Sequence, residues 1–371
     1  MNILHLTGDR EDAGGILSVL RNLQEASRPL GWRHAVWVNR NFAQNRTPAL
    51  DLRLSRFSCS ESEQHGKLLW RALLCWPGLK RLLATERFDI IHAHSRFGFL
   101  MGWVISARLG RRMVHTNHNY ARRKDMYRRI ARRPNFYTVL LTPEMSRYYD
   151  IASQPPHVSI ISACCADRQF VEPMVPRQPA GEPGVPVRFA GVGTIEPRKK
   201  WRLVVDALLA LSEADRRRLE ISIWGPTRDE PAARAYDQEL RLAVARHHLE
   251  RNILLRGSSN DINGCLRASH WFLLPSTHEP CSVALCEALA LGMPALVSAS
   301  GGNLDIVEPG KMGLHFAPDD PDDLAAKLKW ILEGKATPAP PEAIREAARP
   351  RSATIVAGQY AELYRRVLAG Q

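Results

Sequence analysis

Short apolar runs alternate along the first half of the chain with longer segments in which apolar residues recur every three or four positions. The short runs are typical of buried strands: MNILHLT, HAVWVNR, FDIIHAHS, RMVHTNH, TVLLTPE and HVSIISA. The longer segments predict amphipathic helices, the clearest being GILSVLRNLQEA and GKLLWRALLCWPGLKRLLATE. Strands that alternate with helices indicate a parallel sheet with helices on both faces.

This alternation stops after Phe170, where the segment VEPMVPRQPAGEPGVPV is rich in proline and glycine. Neither a helix nor a strand accommodates such a composition, so the segment predicts a linker. A second alternating series follows. Its predicted strands are VRFAGVG, LEISIWG, NILLRG, HWFLLP and PALVSAS, and its predicted helices are WRLVVDALLALSEA, ELRLAVARHH and CSVALCEALALG. The closing stretch ATIVAGQYAELYRRVLAG predicts a last amphipathic helix.

A chain of 371 residues exceeds what one hydrophobic core usually supports, so two domains are expected. The pattern predicts a domain over 1–172, a linker over 173–186, a second domain over 187–350 and a helix over 351–371 that packs back on the first domain. The expected fold class is α/β, with two Rossmann-like, doubly wound parallel sheets facing a central cleft. In such sheets ligands bind at the carboxyl ends of the strands.

Composition favours a soluble, cytoplasmic protein. Hydrophobic residues make up 45% of the chain, as in ordinary globular proteins. The N-terminus lacks a basic region followed by an apolar stretch, and no apolar run reaches the ~18 to 20 residues that a spanning helix needs. The 7 cysteines show neither CxxC pairs nor zinc-ligand spacing, which favours free thiols in a reducing compartment.

The net charge of +13 predicts an anionic partner. The charge is concentrated between Arg111 and Arg133, where 9 Arg or Lys residues accompany a single acid, Asp125. This basic stretch is either a solvated helix face or a docking surface for an anionic membrane or an acceptor. Both interpretations remain open at this point.

Two segments combine strand ends with chemistry. In VGTIEPRKKW, the cations Arg198, Lys199 and Lys200 follow a predicted strand and precede a helix, which favours an anion site over a solvated basic turn. In HEPCSVALCEALALG, a helix that begins near Ser282 would offer amide hydrogens and a positive helix end to a phosphate.

The same segment carries two carboxylates eight positions apart. Glu279 is expected in the loop beside this phosphate cradle, and Glu287 one turn inside the helix. A carboxylate in that second position could accept hydrogen bonds from two vicinal hydroxyls, such as those of a ribose. Near the N-terminus, Gly14 and Gly15 follow the first strand and would let a ligand approach the backbone, although an ordinary tight turn is the better explanation of the pair taken alone.

A metal site is not expected. His92 and His94 could place two imidazoles on one strand face, but the sequence offers no third ligand at suitable spacing, so a structural role is favoured. The acids Asp319, Asp320, Asp322 and Asp323 precede the predicted helix DLAAKLKWILE, where acidic residues commonly cap a helix.

These motifs together resemble those of the family-4 retaining glycosyltransferases of the GT-B fold. The segment from Glu279 to Glu287 resembles the Glu-x7-Glu signature of that family, and further resemblances span most of the chain. They are GGILSVLRNL to the early glycine loop, FDIIHAHS to the Asp-x-x-His-x-His strand, VGTIEPRKK to the Gly-Arg-Leu-to-Lys motif, and SGGNLDIVEPGKMGLHFAPDDPDDLA to the segment after the second glutamate.

The resemblance implies transfer of a sugar from a nucleotide donor with retention of the anomeric configuration and without a metal. It implies that Glu287 holds the donor ribose and that Glu279 lies near the transferred sugar. It also implies that Gly15 belongs to the donor site and Gly14 to the acceptor site or its loop. Arg198 and Lys199 would stabilise the diphosphate, and His118 would line the sugar pocket, although a core histidine is the alternative. The amides that would meet the diphosphate are those of Cys281, Ser282 and Val283.

Three features depart from the family pattern. Thr194 stands where many members have the arginine of Gly-Arg-Leu, and Pro280 with Cys281 replaces Gly-Phe in the cradle. A proline donates no amide hydrogen, so the cradle has one donor fewer. The segment ISACCADRQF replaces the customary Pro-Asn-Gly near the linker.

The sequence thus predicts a hexosyltransferase that uses a UDP- or GDP-sugar as substrate, needs no cofactor, and acts on a cell-envelope saccharide or glycolipid such as lipopolysaccharide or exopolysaccharide. Peripheral contact with the inner face of a membrane would occur through the stretch from Arg111 to Arg133. One alternative is a sugar-nucleotide epimerase of the same fold. The other is a basic polyanion-binding or nucleic-acid-binding protein, which would need exposed aromatic residues among the basic ones; binding of nucleic acid is not expected.

Overall fold

The computed structural model describes residues 1–12, 14–58, 65–121, 123–151, 157–175 and 185–370. The chain divides into two compact units. The N-terminal unit comprises 1–164 together with 353–371, and the C-terminal unit comprises 165–352. The closing helix therefore belongs to the N-terminal unit. Within the predicted linker 173–186, residues 176–184 lie outside the described residues.

The N-terminal unit contains a seven-stranded sheet in the order β3-β2-β1-β4-β5-β6-β7, with all neighbouring strands parallel. Its strands are β1 (Asn2–Leu6), β2 (Arg33–Val38), β3 (Asp51–Leu54), β4 (Ile90–Ala93), β5 (Met113–Asn117), β6 (Phe136–Leu140) and β7 (Val158–Ile160). Its first helices are α1 (Gly15–Ala26), α2 (His65–Thr85), α3 (Arg96–Leu109), α4 (Lys124–Ala131) and α5 (Pro143–Tyr149).

The C-terminal unit contains a six-stranded parallel sheet in the order β10-β9-β8-β11-β12-β13. Its strands are β8 (Val187–Val192), β9 (Leu219–Trp224), β10 (Ile253–Gly257), β11 (Trp271–Leu274), β12 (Ala295–Ser298) and β13 (Gly313–Phe316). Its helices are α6 (Trp201–Ala210), α7 (Glu213–Arg216), α8 (Pro231–Arg246), α9 (Ile262–Arg267), α10 (Val283–Ala290), α11 (Asn303–Ile306), α12 (Pro321–Leu332) and α13 (Pro341–Ala348). The helix α14 (Ala353–Ala369) returns to the N-terminal unit.

Both sheets are doubly wound in the same way. Each begins at its centre, extends outward in one direction for two further strands, and then reverses on the other side of its first strand. This reversal falls between β1 and β4 in the first sheet and between β8 and β11 in the second. Loops that leave the carboxyl ends of strands at such a reversal diverge and leave room for a ligand. The predicted fold class of two doubly wound parallel sheets is therefore confirmed.

Two strands were missed by the sequence analysis, β3 and β13, and each forms an edge of its sheet. An edge strand has a neighbouring strand on one side only and is more exposed than a central strand. Fewer of its residues are therefore apolar, and its hydrophobic pattern is weak. In β3 every residue is half-buried or exposed. The helix predicted over 239–248 is the end of the longer α8, whose first turns are exposed and carry little apolar signal.

The helices form because their apolar residues recur on one side. In α1 the buried side chains include Leu17, Leu20 and Leu23, spaced three residues apart. In α6 the residues Val204, Val205 and Leu208 are fully buried in the core of the C-terminal unit. Among the residues that the structure describes, we find no helix with both the length and the apolar character needed to cross a bilayer.

Candidate active site

The loops after β8 and β11 lie at the reversal point of the second sheet, because β8 and β11 are hydrogen-bonded neighbours. The first loop contains a 3₁₀ turn, Pro197–Lys199, that leads through Lys200 into α6. The second loop runs from the end of β11 through Glu279 to Ser282, the N-cap of α10. Two of the predicted motifs are therefore side by side.

An ion-pair cluster joins these two loops. Arg198 donates from Nη1 to Oε2 of Glu279 at 2.9 Å, and Lys199 donates from Nζ to the same oxygen at 2.9 Å. The side chains of Lys199 and Glu279 are only 9% and 11% exposed, whereas that of Arg198 is 45% exposed. The cluster therefore has a buried base, formed by Lys199 and Glu279, and one cation, Arg198, that reaches solvent.

Glu279 carries a negative charge at neutral pH. Burial by itself would raise its pKa, but the charges of Lys199 and Arg198 and the hydrogen bond from Lys199 outweigh that effect and lower the pKa to about 2. A carboxyl group with this pKa cannot act as a general acid near pH 7. Glu279 can instead accept hydrogen bonds from hydroxyl groups and hold its two cations in place.

A second acid, Glu196, supports Arg198 from the other side. Arg198 donates from Nη2 to Oε1 of Glu196 at 3.1 Å, and Thr194 donates from Oγ1 to the same oxygen at 2.7 Å. The threonine that departs from the family pattern thus orients the acid that holds Arg198. Glu196 was not predicted as a site residue, although its place in the motif VGTIEPRKK was a signal for it.

Glycine residues allow Lys199 to be buried here. A Cβ at Gly193 would lie 3.2 Å from Cε of Lys199, so a larger residue would press on the lysine stem. Gly225, at the end of β9, has a φ of +148°, and a Cβ there would lie 2.0 Å from the carbonyl oxygen of Gly193. Gly193 is needed because the stem of Lys199 passes close to it, and Gly225 is needed because the backbone of Gly193 passes close to it.

The N-terminus of α10 follows Glu279 by a few residues. Ser282 caps the helix, because its Oγ accepts a hydrogen bond from the amide of Leu285 at 3.3 Å. The amide groups at the first two helical positions, Val283 and Ala284, have no acceptor within the helix, as at any helix start. Cys281 and Ser282 are buried, and Val283 is half-buried.

Glu287 lies one turn beyond the helix start. Val283, Ala284 and Glu287 are half-buried, whereas Leu285, Cys286 and Ala288 are buried, so Glu287 belongs to the accessible stripe of α10. Both predicted glutamates are therefore near the same helix start, one in the loop before it and one on its accessible side.

A hydrogen-bonded loop after β12 braces the loop that carries Glu279. The amide of His278 donates to Oγ of Ser300 at 3.0 Å, and the amide of Gly302 donates to the carbonyl oxygen of Glu279 at 2.8 Å. His278 itself has a φ of +53°, in the left-handed region. This backbone turn, which spacing alone does not reveal, directs Glu279 toward Lys199.

The remaining predicted site residues, Gly14, Gly15 and His118, belong to the N-terminal unit. Gly14 is the N-cap of α1 and has a φ of +94°, with no atom within 4 Å of the position that a Cβ would occupy. A glycine is required there by the backbone angle rather than by crowding. Gly14 and Gly15 are both exposed.

A buried ion pair joins the two sides of this glycine turn. Arg21 of α1 donates from Nη2 to both carboxylate oxygens of Asp12, at 2.6 and 2.7 Å. Asp12 also accepts hydrogen bonds from the amides of Asn45 and Arg46, at 2.9 and 2.8 Å. This pair was not predicted from the sequence, because a single Asp and a single Arg nine positions apart carry no recognisable pattern.

His118 follows β5 and is half-buried. Burial lowers its pKa to about 4, so the ring is neutral at pH 7. Its Nε2 lies 3.2 Å from Nδ1 of His94, which shows that His118 is one of several histidines in contact.

Three of these histidines, His5, His92 and His94, have ring nitrogens within 4.8 Å of one another, a spacing that could hold a metal ion. Each of their six nitrogens is, however, within hydrogen-bonding distance of another protein group. A metal ion would have to displace those bonds. The absence of a metal requirement stays a prediction.

The basic stretch lies mainly on and around α4, with Arg122 outside the described residues. Part of its charge is neutralised internally, since Arg128 pairs with Asp125 at 3.2 Å and with Asp150 at 3.5 Å. Exposed arginines remain at positions 123, 129, 132 and 133. A groove of about 810 Å³ beside them is lined by Phe99, Leu100, Trp103, Met126 and Ile130, together with Arg123, Arg129 and Arg133.

Comparison with protein families agrees with this geometry. A model of glycosyl transferases group 1 matches residues 177–351, and a model of glycosyltransferase family 4 matches residues 13–154. The chain belongs to the family-4 glycosyltransferases, and its fold is GT-B. The solved structure of a sucrose-phosphate synthase from Thermosynechococcus elongatus superposes with a TM-score of 0.83 at 20% identity and covers 100% of both chains.

Two curated relatives show how far the similarity extends. A mannosylfructose-phosphate synthase from Agrobacterium fabrum is 29% identical over 140 residues, which are 37% of this chain and 31% of that protein. A UDP-Gal:alpha-D-GlcNAc-diphosphoundecaprenol alpha-1,3-galactosyltransferase from Escherichia coli is 24% identical over 280 residues, which are 69% of this chain and 70% of that protein. The chain spans about a third of the length of the first curated relatives that it matches.

Proposed function

We propose that this protein is a retaining glycosyltransferase that moves a hexosyl group from a UDP- or GDP-sugar to a cell-envelope saccharide or glycolipid. The observation that carries the proposal is the cluster of Lys199, Arg198 and Glu279 beside the start of α10. Two cations and a helix N-terminus at the reversal point of a doubly wound sheet suit the diphosphate of a nucleotide sugar.

The chemistry requires stabilisation of the leaving group. As the bond between the anomeric carbon and the diphosphate oxygen breaks, negative charge grows on the diphosphate, and fixed cations and amide groups lower the free energy of that state. Arg198 is accessible enough to contact the phosphates directly, and Lys199 supplies a second positive charge from its buried position. Val283 and Ala284 supply the amides of the helix start.

Retention of configuration follows if the acceptor hydroxyl attacks from the face that the diphosphate leaves. The new bond forms between the acceptor oxygen and the anomeric carbon, and the acceptor proton passes to a phosphate oxygen. No side-chain nucleophile is then needed. Glu279, ionised because its pKa is about 2, would accept hydrogen bonds from the transferred sugar. Glu287, on the accessible stripe of α10, would accept them from the ribose.

The acceptor class rests on two supports. The Escherichia coli relative carries a lipid diphosphate acceptor in its name, and it matches 69% of this chain. The second support is the exposed surface around α4. There, apolar side chains line a groove whose margin is cationic, an arrangement suited to the headgroup region of an anionic membrane.

The helix α2 extends this amphipathic character. It packs against α3, and it exposes Leu69, Trp70 and Leu73, of which Trp70 is 63% exposed. Trp103 of α3 is 41% exposed. Exposed tryptophan and leucine near arginine are typical of segments that lie in a membrane interface. We call Trp70, Trp103, Arg123, Arg129 and Arg133 the basic-apolar surface, and we propose that it docks on anionic lipid.

Donor binding can be tested by titration calorimetry with UDP, GDP and a panel of their sugars. We expect one nucleotide class to bind below millimolar concentration. Arg198→Met and Lys199→Met should each weaken binding about ten- to hundredfold, because each removes a charge-assisted contact or a nearby charge. Lys200→Met is the matched control. Its target is the neighbouring, more exposed lysine, which pairs with Asp319 at 2.8 Å instead of Glu279.

Two outcomes would end this proposal. If neither UDP-sugars nor GDP-sugars bind at millimolar concentration, the site does not hold a nucleotide donor. If Lys200→Met lowers affinity as much as Lys199→Met, the effect reflects net charge and not the cluster. Retention is tested separately, by the anomeric coupling constant of the product in proton NMR, and an inverted product would exclude the retaining mechanism.

A further inference from the structure

One face of the N-terminal sheet carries an unusual set of histidines. His5 lies on β1, His34 on β2, His92 on β4, and His94 and His118 directly after β4 and β5. Strand register pairs His5 of β1 with His92 of β4. It pairs His34 of β2 with Ile3, which lies two positions before His5 on β1. Because side chains alternate along a strand, residues such as His92 and His94 share a face.

Four of these rings form a continuous hydrogen-bonded chain. His34 Nδ1 lies 2.9 Å from His5 Nε2, and His5 Nδ1 lies 2.9 Å from His94 Nε2. His94 Nδ1 lies 3.2 Å from His118 Nε2. At the inner end, His34 Nε2 lies 2.8 Å from Oγ of Ser27. Every link between two rings joins Nδ1 of one histidine to Nε2 of the next.

The rings of this chain are neutral at pH 7. Burial lowers the pKa of His34 and of His118 to about 4. Burial also lowers the pKa of His5 and of His94 to well below the usual value, and neighbouring histidines add to the effect. A neutral imidazole has one donor nitrogen and one acceptor nitrogen. The chain therefore has two self-consistent arrangements, with every proton on Nε2 or every proton on Nδ1.

Ser27 selects between these arrangements. Its hydroxyl lies 2.6 Å from the carbonyl oxygen of Leu23, an acceptor that can only receive the hydroxyl proton. With that proton committed, Oγ of Ser27 is left to accept a hydrogen bond from His34 Nε2. The proton of His34 is then on Nε2, and the same holds in turn for His5, His94 and His118.

The consequence reaches the outer end of the chain. His118 is half-buried, while His5, His34 and His94 are buried. Its Nε2–H donates inward to His94, so its Nδ1 presents an unprotonated lone pair. That Nδ1 makes no hydrogen bond within the described part of the chain.

We propose that His34, His5 and His94 are positioning residues that hold His118 as the Nε2–H tautomer, so that Nδ1 of His118 accepts a hydrogen bond from a sugar hydroxyl of the substrate. This inference rests on the proposed function for its ligand class, and on the geometry of the N-terminal unit for the tautomer. An isolated surface histidine would distribute its proton between both nitrogens, so the buried chain supplies specificity that His118 alone lacks.

The tautomer can be read directly from the substrate-free protein. Full-length protein labelled with ¹⁵N-histidine gives long-range ¹H–¹⁵N correlations that distinguish Nε2–H from Nδ1–H rings, and the signals lost in His118→Gln identify His118. We expect the Nε2–H form in the wild type. Ser27→Ala removes the acceptor at the inner end and should produce a mixture of tautomers at His118, and Ser27→Thr should restore the single form.

Thr85→Ala serves as the control. Thr85 also donates a hydroxyl to the carbonyl of the residue four positions earlier, at 3.1 Å near the end of α2, but it is exposed and contacts no histidine. Its substitution should leave the spectrum of His118 unchanged. With substrates, Ser27→Ala should lower kcat/KM about two- to tenfold, the effect of one lost hydrogen bond, and Thr85→Ala should not.

Failure of this inference is distinguishable from failure of the proposed function. An Nδ1–H ring at His118 in the wild type, or an unchanged ring in Ser27→Ala, overturns the positioning role even if glycosyl transfer is observed. Stoichiometric shifts of the His5, His92 and His94 signals on addition of Zn²⁺ would also overturn it, because the nitrogens would then be metal ligands. If the expected tautomers are observed but no nucleotide sugar binds, the positioning role of the histidines stands and the proposed function is refuted.

Discussion

A buried carboxylate, Glu279, connects the two cations of the candidate site. Its Oε2 atom accepts hydrogen bonds from both Arg198, which Glu196 also holds, and Lys199. Removing one partner of a buried ion pair leaves the other charged group desolvated and unpaired. Glu279 should therefore contribute to the stability of the folded protein as well as to donor binding. Measuring stability as a function of pH isolates the first contribution.

Glu279→Gln should make the protein less stable at pH 7 by about 3 kcal/mol. The folded-state pKa of Glu279 is about 2, below its ordinary value of 4.5. The ionised carboxylate thus contributes stability above pH 4.5, and that contribution is lost as the pH falls toward 2. Urea unfolding of both proteins from pH 7 to 2.5 should show their stability difference shrinking through this interval.

Glu308→Gln is the control for that measurement. Glu308 also pairs with a lysine, Lys311, at 3.0 Å, but its side chain is 61% exposed. Exposed pairs contribute little, so its substitution should change stability only slightly at any pH. A stability difference between wild type and Glu279→Gln that stays constant down to pH 2.5 would contradict the buried ion pair.

Residue types were easier to predict than their contacts. The positions of Arg198, Lys199 and Glu279 at strand ends followed from the strand pattern, since a doubly wound sheet collects such ends at one edge. Their direct contact did not follow from that pattern, because it depends on the left-handed backbone conformation at His278. The chain from Ser27 to His118 was also missed: the alternation in FDIIHAHS hinted at a shared face, but strand register is needed to bring His5 and His34 beside it.

At the scale of elements, helices with a continuous apolar side were predicted closely. The segments predicted over 15–26 and 353–370 are α1 and α14, within one residue. The acids before α12 also act as predicted, since Oδ1 of Asp320 accepts hydrogen bonds from the amides of Asp322 and Asp323 at 3.0 Å. Edge strands were missed because half-exposed sequences such as Asp51–Leu54 carry no clear period.

The helix α14 is held to the N-terminal sheet by polar contacts in a buried setting. Tyr364 places its hydroxyl 2.7 Å from Nδ1 of His92, and Tyr360 places its hydroxyl 3.0 Å from Oγ1 of Thr116. Thr116 in turn lies 2.7 Å from Nε2 of His92. The last helix thereby satisfies Nδ1 of His92, which would otherwise be buried without a partner.

Tyr364→Phe should destabilise the N-terminal unit by about 1 to 3 kcal/mol, because it leaves His92 Nδ1 buried and unpaired. Urea unfolding followed by circular dichroism measures this change. Tyr148→Phe is a suitable control, since that hydroxyl donates to Ala121 O at 3.3 Å in a half-buried position and its loss should cost less. Equal stability of Tyr364→Phe and wild type would show that α14 is held by its apolar contacts alone.

At the scale of the whole molecule, the stretch between Arg111 and Arg133, with 9 cations and one acid, supplies 8 of the 13 net positive charges. Other arginines pair with acids and add nothing to the net charge: Arg21 with Asp12, Arg53 with Glu86, and Arg267 with Glu172 are examples within one unit or the other. The charge count alone therefore could not distinguish a membrane from a nucleic acid as the partner. The groove beside the exposed arginines is lined by the aliphatic side chains of Leu100, Met126 and Ile130. This lining favours lipid, because aliphatic side chains suit acyl chains and give nucleic-acid bases nothing to stack on.

Docking of the basic-apolar surface predicts a specific pattern of vesicle binding in sedimentation assays. The wild type should bind phosphatidylcholine vesicles that contain phosphatidylglycerol and should bind pure phosphatidylcholine vesicles weakly. Arg129→Gln and Arg133→Gln should each reduce affinity about fivefold at low salt, and this loss should fade at high salt as the charges are screened.

Trp70→Ser should reduce affinity at both salt concentrations, because its contribution is apolar burial. Trp330→Ser replaces another exposed tryptophan, 47% exposed in the C-terminal unit, and should bind like wild type. Equal losses in the two tryptophan variants would mean that the basic-apolar surface is not the one that meets lipid.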